Sequence, residues 1–411
     1  MRKYVIIGNG TAAVGCIEGI RRHDANGKIT VISAENHHVY SRPLISYLLE
    51  GKTDINRIKY RPDDFYEING CEVLYGVRAE KIDTEAKKVT VSDGKEIKYD
   101  YLCIAAGSSP FVPPTDGMEK VKKKFSFMTL DDALDIEKNL DGKDKVLIVG
   151  AGLIGLKCAE GIYGKVAQIT VCDLAPRILS SVFDDEFAAS MQSHLESMGI
   201  KILTGDCVER YEENKAIMKS GLDIDFDILI TAVGVRANTT LASSAGIKCG
   251  RGIDIDSHCM TSAQGVYAAG DCTEGYDTVT GNIRVIAILP SAYMQGFCAG
   301  ENMAGAKTEY AGGVPLNSLG LFGLHTMTCG HDMGGDCVSV RTDGNIRKFF
   351  IKDGIMTGFM LMGDCKRAGI YTSLVRDAVK LGNDDVEKIK NEPSTLIFLP
   401  RDRRKIFGGV V

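Results

Sequence analysis

The sequence predicts an α/β fold that contains two Rossmann-like dinucleotide-binding units. The first observation is a strand, a glycine-rich turn and a helix that begin near residue 4, and the second is a repeat of this arrangement near residue 145. The third is composition: glycine is frequent, with 46 of 411 residues, whereas proline is scarce, with 10. Such a chain favours close backbone approaches over disordered linkers. Its length allows two or three domains.

The first unit opens with a short apolar strand over 4–7. The turn 8–13 follows, with its small residues spaced as G-x-G-x-x-A. A helix is predicted over 12–22 and a second strand over 29–33, which ends just before Glu35. Glycines let the backbone approach a pyrophosphate at a helix N-terminus, and the acidic residue can accept a hydrogen bond from a ribose hydroxyl. This unit is therefore predicted to bind a dinucleotide.

The second unit repeats this order with a strand over 145–149, the G-x-G-x-x-G turn 150–155 and a strand over 169–172. Because both copies are intact, the sequence favours two dinucleotide sites over one site and a decayed duplicate. Asp173 would bond a free 2′-hydroxyl and repel a 2′-phosphate, which favours NADH over NADPH. Arg177 is interpreted as a partner of local carboxylates, and a contact with a 2′-phosphate is the alternative.

Three later segments have a related pattern. Residues 101–110 form a strand that runs into a glycine turn, and residues 228–238 repeat that shape. A third buried strand, within 266–271, ends in Asp271 at a turn. There the carboxylate could accept a hydrogen bond from a polyol hydroxyl.

Charge and hydropathy exclude several classes of protein. The net charge of −5 argues against binding to nucleic acid through bulk charge. The sequence contains no run of 18 apolar residues, so it predicts no membrane span. The apolar run at 4–7 is too short for a signal peptide, so we expect a cytoplasmic protein.

Thirteen cysteines are scattered along the chain, and none forms a C-x-x-C pair. This spacing argues against a zinc ribbon, an iron–sulfur cluster or a thioredoxin-type pair on this chain, and it indicates reduced thiols. His37 and His38 are interpreted as a surface turn, with a metal site as the alternative. No metal site is predicted.

The order of these segments resembles the two-dinucleotide-domain flavoproteins related to glutathione reductase, the pyridine nucleotide-disulfide oxidoreductases, over nearly the whole chain. Residues 40–46, Tyr-Ser-Arg-Pro-Leu-Ile-Ser, resemble the Y-x-R-P-x-L-S segment of the branch with NADH:rubredoxin reductases, ferredoxin reductases of oxygenase systems and the flavin part of assimilatory nitrite reductase. Residues 290–296 resemble the helix whose start faces the flavin pyrimidine.

The resemblance implies a domain layout. An FAD domain would comprise 1–112 and 242–312, and an NADH domain, 113–241, would be inserted into it. A small α+β interface domain, 313–411, would complete the chain. Within this last part the sequence itself predicts hairpin strands over 347–351 and 354–361, a helix over 368–381 and a basic tail over 401–405.

The resemblance also implies the residues that contact FAD and NADH. In its terms Glu35 would bind the FAD ribose and Asp271 the ribitol. The implied contacts in the FAD domain are Gly8, Gly10, Thr11, Ala12, Glu35, Arg42, Pro43, Val77, Ala106, Gly107, Asp271 and Ala292. Those in the NADH domain are Gly150, Gly152, Leu153, Ile154, Gly155, Asp173, Val233 and Gly234.

The sequence departs from the family at the two positions that we predict to be catalytic. Members usually hold a Lys–Glu pair near flavin N5, with one partner from each dinucleotide domain. Here the lysine position is Tyr47 and the glutamate position is Lys157. A cation near the ring would favour reduced flavin. The alternative is that Lys157 is a solvated helix residue with a packed stem.

The family's redox-active cysteines are also missing. Ser41 and Ser46 stand in that region, and no cysteine lies between Cys16 and Cys71. We therefore expect electrons to pass from NADH through FAD to an external metalloprotein: a rubredoxin, a ferredoxin or an iron–sulfur subunit. The alternatives are an NADH oxidase or thiol reductase, and an FAD/NADH redox-sensing binding protein. Either a monomer or a homodimer is compatible with the sequence.

Overall fold

The computed structural model describes residues 1–391 and 393–398, so the predicted basic tail, 401–405, lies outside the described residues. The strands are β1 (Lys3–Ile7), β2 (Lys28–Ile32), β3 (Cys71–Leu74), β4 (Ala79–Asp83), β5 (Lys88–Val91), β6 (Glu96–Lys98), β7 (Tyr101–Ile104), β8 (Ser108–Pro110), β9 (Lys124–Ser126), β10 (Lys145–Val149), β11 (Gln168–Asp173), β12 (Lys201–Thr204), β13 (Val208–Glu212), β14 (Lys215–Met218), β15 (Asp223–Asp225), β16 (Ile228–Thr231), β17 (Val235–Ala237), β18 (Ile253–Asp254), β19 (Val266–Ala268), β20 (Thr273–Tyr276), β21 (Ile283–Arg284), β22 (Leu316–Leu321), β23 (Leu324–Gly330), β24 (Asp336–Thr342), β25 (Asn345–Lys352) and β26 (Ile355–Met362). The α-helices are α1 (Thr11–His23), α2 (Ile45–Glu50), α3 (Phe65–Ile68), α4 (Leu130–Asn139), α5 (Leu153–Ile162), α6 (Asp185–Ser197), α7 (Thr240–Ser244), α8 (Leu289–Met303), α9 (Ala368–Arg376) and α10 (Asn383–Asn391).

The first βαβ unit belongs to a five-stranded parallel sheet with the order β19-β7-β1-β2-β3. In the centre, Ile7 of β1 lies opposite Ile32 of β2 on one side and Ile104 of β7 on the other. The strand order therefore reverses beside β1, which is where doubly wound sheets bind ligands.

The second unit belongs to another five-stranded parallel sheet, β12-β11-β10-β16-β9. Val149 of β10 lies opposite Cys172 of β11 and Thr231 of β16. All strands of this sheet come between β7 and β19 in the sequence, so the second Rossmann-like unit is an insertion in the first. The two sheets confirm the predicted fold class.

Helices α1 and α8 pack with their backbones nearly in contact. Each helix presents two glycines to the other: Gly15 and Gly19 on α1, and Gly296 and Gly300 on α8. A Cβ added to Gly15 would lie 2.3 Å from the carbonyl oxygen of Tyr293, and one added to Gly300 would lie 2.1 Å from that of Cys16. Only glycine fits at such distances, and the contact brings the first turns of the two helices together.

The predicted hairpin near the C-terminus is confirmed, since β25 and β26 pair antiparallel with Lys352 opposite Ile355. They belong to the antiparallel sheet β22-β23-β26-β25-β24. The following helix α9 is shorter than predicted and ends at Arg376, because Ala378 takes a left-handed conformation with φ +46°. No helix in the described residues is long and apolar enough to cross a bilayer.

The chain forms two compact units. One comprises Met1–Pro176, Ile200–Tyr276 and Ile283–Gly313, and contains both parallel sheets. The other comprises Arg177–Gly199, Asp277–Asn282 and the described residues from Val314 onward. Helix α6 therefore groups with the C-terminal sheet, although the sequence places it in the NADH domain. The division by cofactor into 1–112 with 242–312, 113–241 and 313–411 stays a prediction.

Candidate cofactor-binding site

The residues predicted to contact FAD gather at one edge of the first sheet. Parallel strands end at the same edge, so the segments that follow them are brought together. Residues 8–12 follow β1, Glu35 follows β2, Val77 follows β3, Ala106 and Gly107 follow β7, and Asp271 follows β19.

The turn after β1 is shaped to receive a phosphate group. Gly8 has φ +111°, and a Cβ there would lie 2.1 Å from the carbonyl oxygen of Ala105. Beside Gly10 the space is open, since a Cβ would meet nothing within 4 Å. Gly10 caps α1 without a side-chain hydrogen bond, and Thr11 and Ala12 form its first turn, which carries no acidic side chain. Unblocked helix N–H groups beside open space fit the pyrophosphate of a dinucleotide.

Glu35 lies within a network of side chains. Its carboxylate accepts a hydrogen bond from the Tyr40 hydroxyl at 2.5 Å and pairs with the Arg42 guanidinium. The Tyr40 hydroxyl also accepts from the N–H of Leu130 at 2.9 Å, and Arg42 donates to the carbonyl of Met128 at 3.0 Å. Burial raises the pKa of Tyr40, so the phenol stays a donor to Glu35. Tyr40 belongs to the segment 40–46 noted in the sequence, but its hydrogen bond to Glu35 was not predicted.

Asp271 is placed by a glutamine that the sequence analysis missed. The Oε1 atom of Gln295 on α8 accepts from the N–H of Gly270 at 2.8 Å and from the Thr273 hydroxyl at 3.0 Å. This fixes the turn that carries Asp271 against the start of α8. Burial raises the pKa of Asp271, and the charge of Arg42 and a 3.5 Å hydrogen bond from Ser108 oppose that rise. No local pattern marks Gln295, because its partners are about 25 residues away.

The remaining predicted FAD contacts lie in these same segments. Arg42 and Pro43 form a single 3₁₀ turn, Arg42–Leu44, which leads into α2. Val77 donates its N–H to the carbonyl of Ser33 at 2.9 Å, and the carbonyl of Ala106 accepts from the Asn238 side chain at 2.8 Å. Ala292 lies in the first turn of α8. Their contacts with FAD stay predictions.

The turn after β10 repeats the geometry of the first turn. Gly150 has φ +115°, and a Cβ there would lie 2.2 Å from the carbonyl oxygen of Ala232. Gly152 borders open space, and Leu153, Ile154 and Gly155 begin α5. Val233 and Gly234 follow β16 at the same edge, and Val233 is 37% exposed.

The Asp173 carboxylate is held by backbone donors. It accepts from the N–H of Ala151 at 2.7 Å and from the N–H of Ala175 at 2.8 Å, so it lies against the glycine turn. Arg177 pairs with Asp185 at 3.0 Å and donates to the carbonyl of Phe183 at 3.1 Å. This agrees with the interpretation of Arg177 as a partner of local carboxylates.

The two predicted catalytic residues are in contact. The Lys157 ammonium lies 4.4 Å from the centre of the Tyr47 ring and pairs with the Glu160 carboxylate. The Lys157 side chain is 16% exposed, so most of it is packed against its neighbours, and the choice between a catalytic and a solvated ammonium stays a prediction. Glu160 was missed, although its spacing of three residues on one helix could have revealed it. A catalytic role for this pair stays a prediction.

The cysteines offer no exposed thiol at these segments. All thirteen lie in the described part of the chain and are free. Cys272, next to Asp271, is buried and donates to the carbonyls of Ile104 and Ala269, each at 3.4 Å; burial raises its pKa to about 12. Burial also raises the pKa of Cys16 well above its usual range.

No metal-ligating group of three or more His, Cys, Asp or Glu side chains occurs in the residues that the structure describes. His37 instead contacts Asp131 at 2.7 Å.

Comparisons with known proteins agree with this geometry. Residues 2–296 match the family model described as pyridine nucleotide-disulphide oxidoreductase. The chain is 32% identical over 387 residues to the NADH-dependent phenylglyoxylate dehydrogenase subunit epsilon of Aromatoleum evansii, covering 91% of both proteins. It is 33% identical to an NADH oxidase of Methanocaldococcus jannaschii, over 75% of this chain and 71% of that protein. The structure of NADH:rubredoxin oxidoreductase from Clostridium acetobutylicum has a TM-score of 0.77 at 24% identity, over 95% of this chain and 100% of that one.

These matches confirm the family that the motifs indicated. They also confirm the enzyme class, an NADH-dependent oxidoreductase, and the cofactors, FAD and NADH.

Proposed function

The chain belongs to the pyridine nucleotide-disulphide oxidoreductase family, and we propose that it exchanges electrons between NADH and a separate iron–sulfur protein through its FAD. The observation that carries this proposal is the buried state of the thiols near the cofactor segments. Cys272 and Cys16 have raised pKa values, so neither supplies the thiolate that a disulfide relay needs. Electrons on the flavin then need an acceptor outside the chain.

Each cofactor has a defined set of residues in this proposal. When bound, FAD supplies the conversion of a hydride into single electrons. The turn 8–12 and the N–H groups of α1 hold its pyrophosphate, Glu35 holds the ribose and Asp271 the ribitol. The turn 150–155 and Asp173 hold NADH. The parallel sheets keep both sets on rigid elements.

We favour a partner subunit over a freely diffusing rubredoxin or ferredoxin. The Aromatoleum relative is named as one subunit of a dehydrogenase, and the alignment covers 91% of both chains. Similarity of this extent includes the C-terminal sheet as well as the cofactor edges. We propose the cytoplasm as the compartment, because thirteen free cysteines suit a reducing environment.

The second candidate is an NADH oxidase, which the 33% identity to the Methanocaldococcus protein favours. A thiol-dependent oxidase would need a cysteine close to the flavin. The region after the second strand holds Ser41 and Ser46 and no cysteine, and Ser46 is buried and donates to the carbonyl of Pro43 at 3.0 Å. Only an oxidase without a thiol remains compatible with this site.

Steady-state assays with different acceptors separate these candidates. The FAD-loaded chain is mixed with NADH under argon and then given benzyl viologen, a [4Fe–4S] ferredoxin or a rubredoxin; a parallel sample receives oxygen. With NADH in large excess over NAD⁺, so that these low-potential acceptors can be reduced, we expect rapid initial reduction of viologen and ferredoxin and oxygen consumption at least tenfold slower. Oxygen consumption as fast as viologen reduction would establish the oxidase instead. Rubredoxin reduction faster than ferredoxin reduction would overturn the choice of an iron–sulfur subunit.

A further inference from the structure

We propose that Asn238 is a positioning residue that locks the turn assigned to FAD to the turn assigned to NADH, and so sets how the nicotinamide meets the flavin. The first turn, Ala106 and Gly107, follows β7, and the second turn, Val233 and Gly234, follows β16. The inference rests on the proposed function, because it assumes that these two turns receive the two cofactors.

Both turns lie against the glycine turns that fit the pyrophosphates. A Cβ added to Gly8 would lie 3.3 Å from the backbone nitrogen of Ala106. In the second unit, a Cβ added to Gly150 would lie 2.9 Å from the backbone nitrogen of Val233. These approaches join backbones that are distant in sequence, so they place the two turns beside the cofactor segments by direct contact.

A ribbon of two strands connects one turn to the other. Strands β8 and β17 leave the turns and pair antiparallel as a two-stranded sheet. At the NADH end, the N–H of Phe111 donates to the carbonyl of Gly234 at 2.9 Å. At the FAD end, the N–H of Asn238 donates to the carbonyl of Gly107 at 3.0 Å. The geometry of this ribbon therefore decides how the two turns are placed.

The backbone at both turns needs a restraint that packing does not supply. Gly107 and Gly234 have φ values of +64° and +121°, and a Cβ added to either glycine would meet nothing within 4 Å. No neighbouring atom therefore limits these glycines on that side, and glycine itself allows many backbone conformations. A ribbon of two strands also has little stability of its own. Hydrogen bonds are then left to fix the geometry.

The side chain of Asn238 supplies this restraint at the FAD end of the ribbon. Its Nδ2 group donates to the carbonyl of Ala106 at 2.8 Å, and its Oδ1 atom accepts from the Ser109 hydroxyl at 2.7 Å. A carbonyl oxygen can only accept, so the amide has one orientation, with Nδ2 towards Ala106. Together with the hydrogen bond from its own N–H, Asn238 fixes the chain on both sides of Gly107.

Loss of this side chain should affect hydride transfer more than the binding of NADH. The step moves one proton with two electrons from NADH to the flavin, and it leaves NAD⁺ and the anionic reduced flavin. Its rate depends steeply on how the two rings are placed, so Asn238→Ala should lower the hydride-transfer rate at saturating NADH by about tenfold. The dissociation constant of NADH should change little, because the turn 150–155 and Asp173 are not altered.

The test is anaerobic stopped-flow reduction of the bound flavin over a range of NADH concentrations, with NADH deuterated at C4 to identify the hydride step. The long-wavelength charge-transfer absorbance of reduced flavin with NAD⁺ is a second readout, because it reports the stacking of the two rings without turnover. We expect a slower hydride step and a weaker charge-transfer band in Asn238→Ala at equal FAD content.

Ser109 and Asn139 provide the second variant and the control. Ser109→Ala removes one hydroxyl at an exposed position and should lower the rate by about threefold. Because Ser109 acts through Asn238, the double variant should match Asn238→Ala within about twofold. In Asn139→Ala the side chain that is lost donates to the carbonyl of Asp135 at 2.8 Å, at the end of α4. This control should keep the wild-type rate and band.

A wild-type hydride-transfer rate in Asn238→Ala would overturn the inference, as would a loss that disappears at saturating NADH or effects that multiply in the double variant. If Asn238→Ala does not fold, Ser109→Ala decides by the same two readouts. The reaction of NADH with the flavin needs no acceptor protein. Failure of the acceptor assays therefore counts against the proposed function alone, and an unchanged hydride step counts against Asn238 alone.

Discussion

Glu35 lies three residues after β2 and Asp173 is the last residue of β11, and the carboxylates of these two acidic residues are held differently. Glu35 is held by the side chains of Tyr40 and Arg42. Asp173 is held by the N–H groups of Ala151 and Ala175. Side chains can turn away to admit a ribose, whereas a backbone turn is fixed by its strand and helix. We therefore expect Asp173 to discriminate between nucleotides without rearrangement.

The first prediction concerns Asp173 and nucleotide choice. In wild type we expect NADH to reduce the flavin much faster than NADPH, because the carboxylate accepts from a 2′-hydroxyl and repels a 2′-phosphate. Asp173→Ala should lower the ratio of the NADH rate to the NADPH rate by about tenfold or more, equivalent to the loss of one charge-assisted hydrogen bond. It should also raise the KM for both nucleotides, since the turn loses its anchor.

Stopped-flow bleaching of the flavin by each nucleotide measures both effects. Asp206→Ala is a suitable control, because Asp206 lies in the same sheet region and bonds Ser220 instead of the glycine turn. Equal bleaching of wild type by NADPH would contradict the assignment of Asp173.

At the scale of elements, the contact between α1 and α8 determines whether the residues predicted to contact FAD come together at one edge of the first sheet. Their backbones meet through glycines, and the first turns of both helices carry predicted FAD contacts. A methyl group at 2.3 Å from a carbonyl oxygen forces the helices apart.

We expect Gly15→Ala to destabilise the protein by about 1–3 kcal/mol through overpacking and to lower the FAD content of the purified protein. Gly369→Ala, at an exposed position in the first turn of α9, meets no atom within 4 Å and should stabilise the protein slightly, by about 0.5–1 kcal/mol. Thermal unfolding and the flavin-to-protein absorbance ratio measure the difference. Equal stability of the two variants would show that α1 and α8 can move apart without destabilising the protein, which would contradict the prediction.

The N-terminus of α6 carries a cluster of charges within the second compact unit. Glu186 accepts from Arg341 at 2.7 Å and pairs with Lys348 at 2.7 Å, and Asp184 caps the helix and also pairs with Lys348. The hydrogen bonds from Arg341 and Lys348 lower the pKa of Glu186 from 4.5 to about 2. These ion pairs attach α6 to β24 and β25.

The lowered pKa of Glu186 gives a prediction with a defined sign. The folded state favours the carboxylate, so its stabilisation is complete above pH 4.5 and is lost as the pH falls towards 2. Glu186→Gln should cost about 1 kcal/mol at pH 7, as for a partly exposed ion pair, and almost nothing near pH 2. Glu196→Gln, on the exposed side of the same helix, should change little at either pH. Urea unfolding at several pH values measures this, and a pH-independent difference would contradict it.

For the molecule as a whole, the distribution of thiols predicts its response to alkylation. Cys337 is exposed, whereas the other cysteines are buried or partly buried. Native treatment with iodoacetamide should label Cys337 first and leave NADH-to-viologen turnover unchanged. Mass spectrometry and activity are followed together, with Cys337→Ser as the control. Loss of turnover in step with the labelling of any one cysteine would contradict electron transfer without thiols.

The sequence by itself determined both βαβ units, the family, the cofactors and the need for an outside acceptor. These features depend on local patterns: apolar strands, glycine spacing, the acids Glu35 and Asp173, and the absence of cysteines near Ser46. A strand and the turn that follows it occupy consecutive residues, so the sequence alone identifies them and the type of ligand that they suit. The residues that follow the strands could therefore be predicted as cofactor contacts.

Only the tertiary structure decided which side chains meet across elements. The Lys157 ammonium contacts the Tyr47 ring, Gln295 accepts a hydrogen bond from the turn before Asp271, and α6 groups with the C-terminal sheet. Each of these contacts joins segments that are tens to more than one hundred residues apart. Their distances depend on how helices and sheets pack. Packing is fixed by close approaches such as that of Gly15 in α1 to the backbone of α8, which no local spacing encodes.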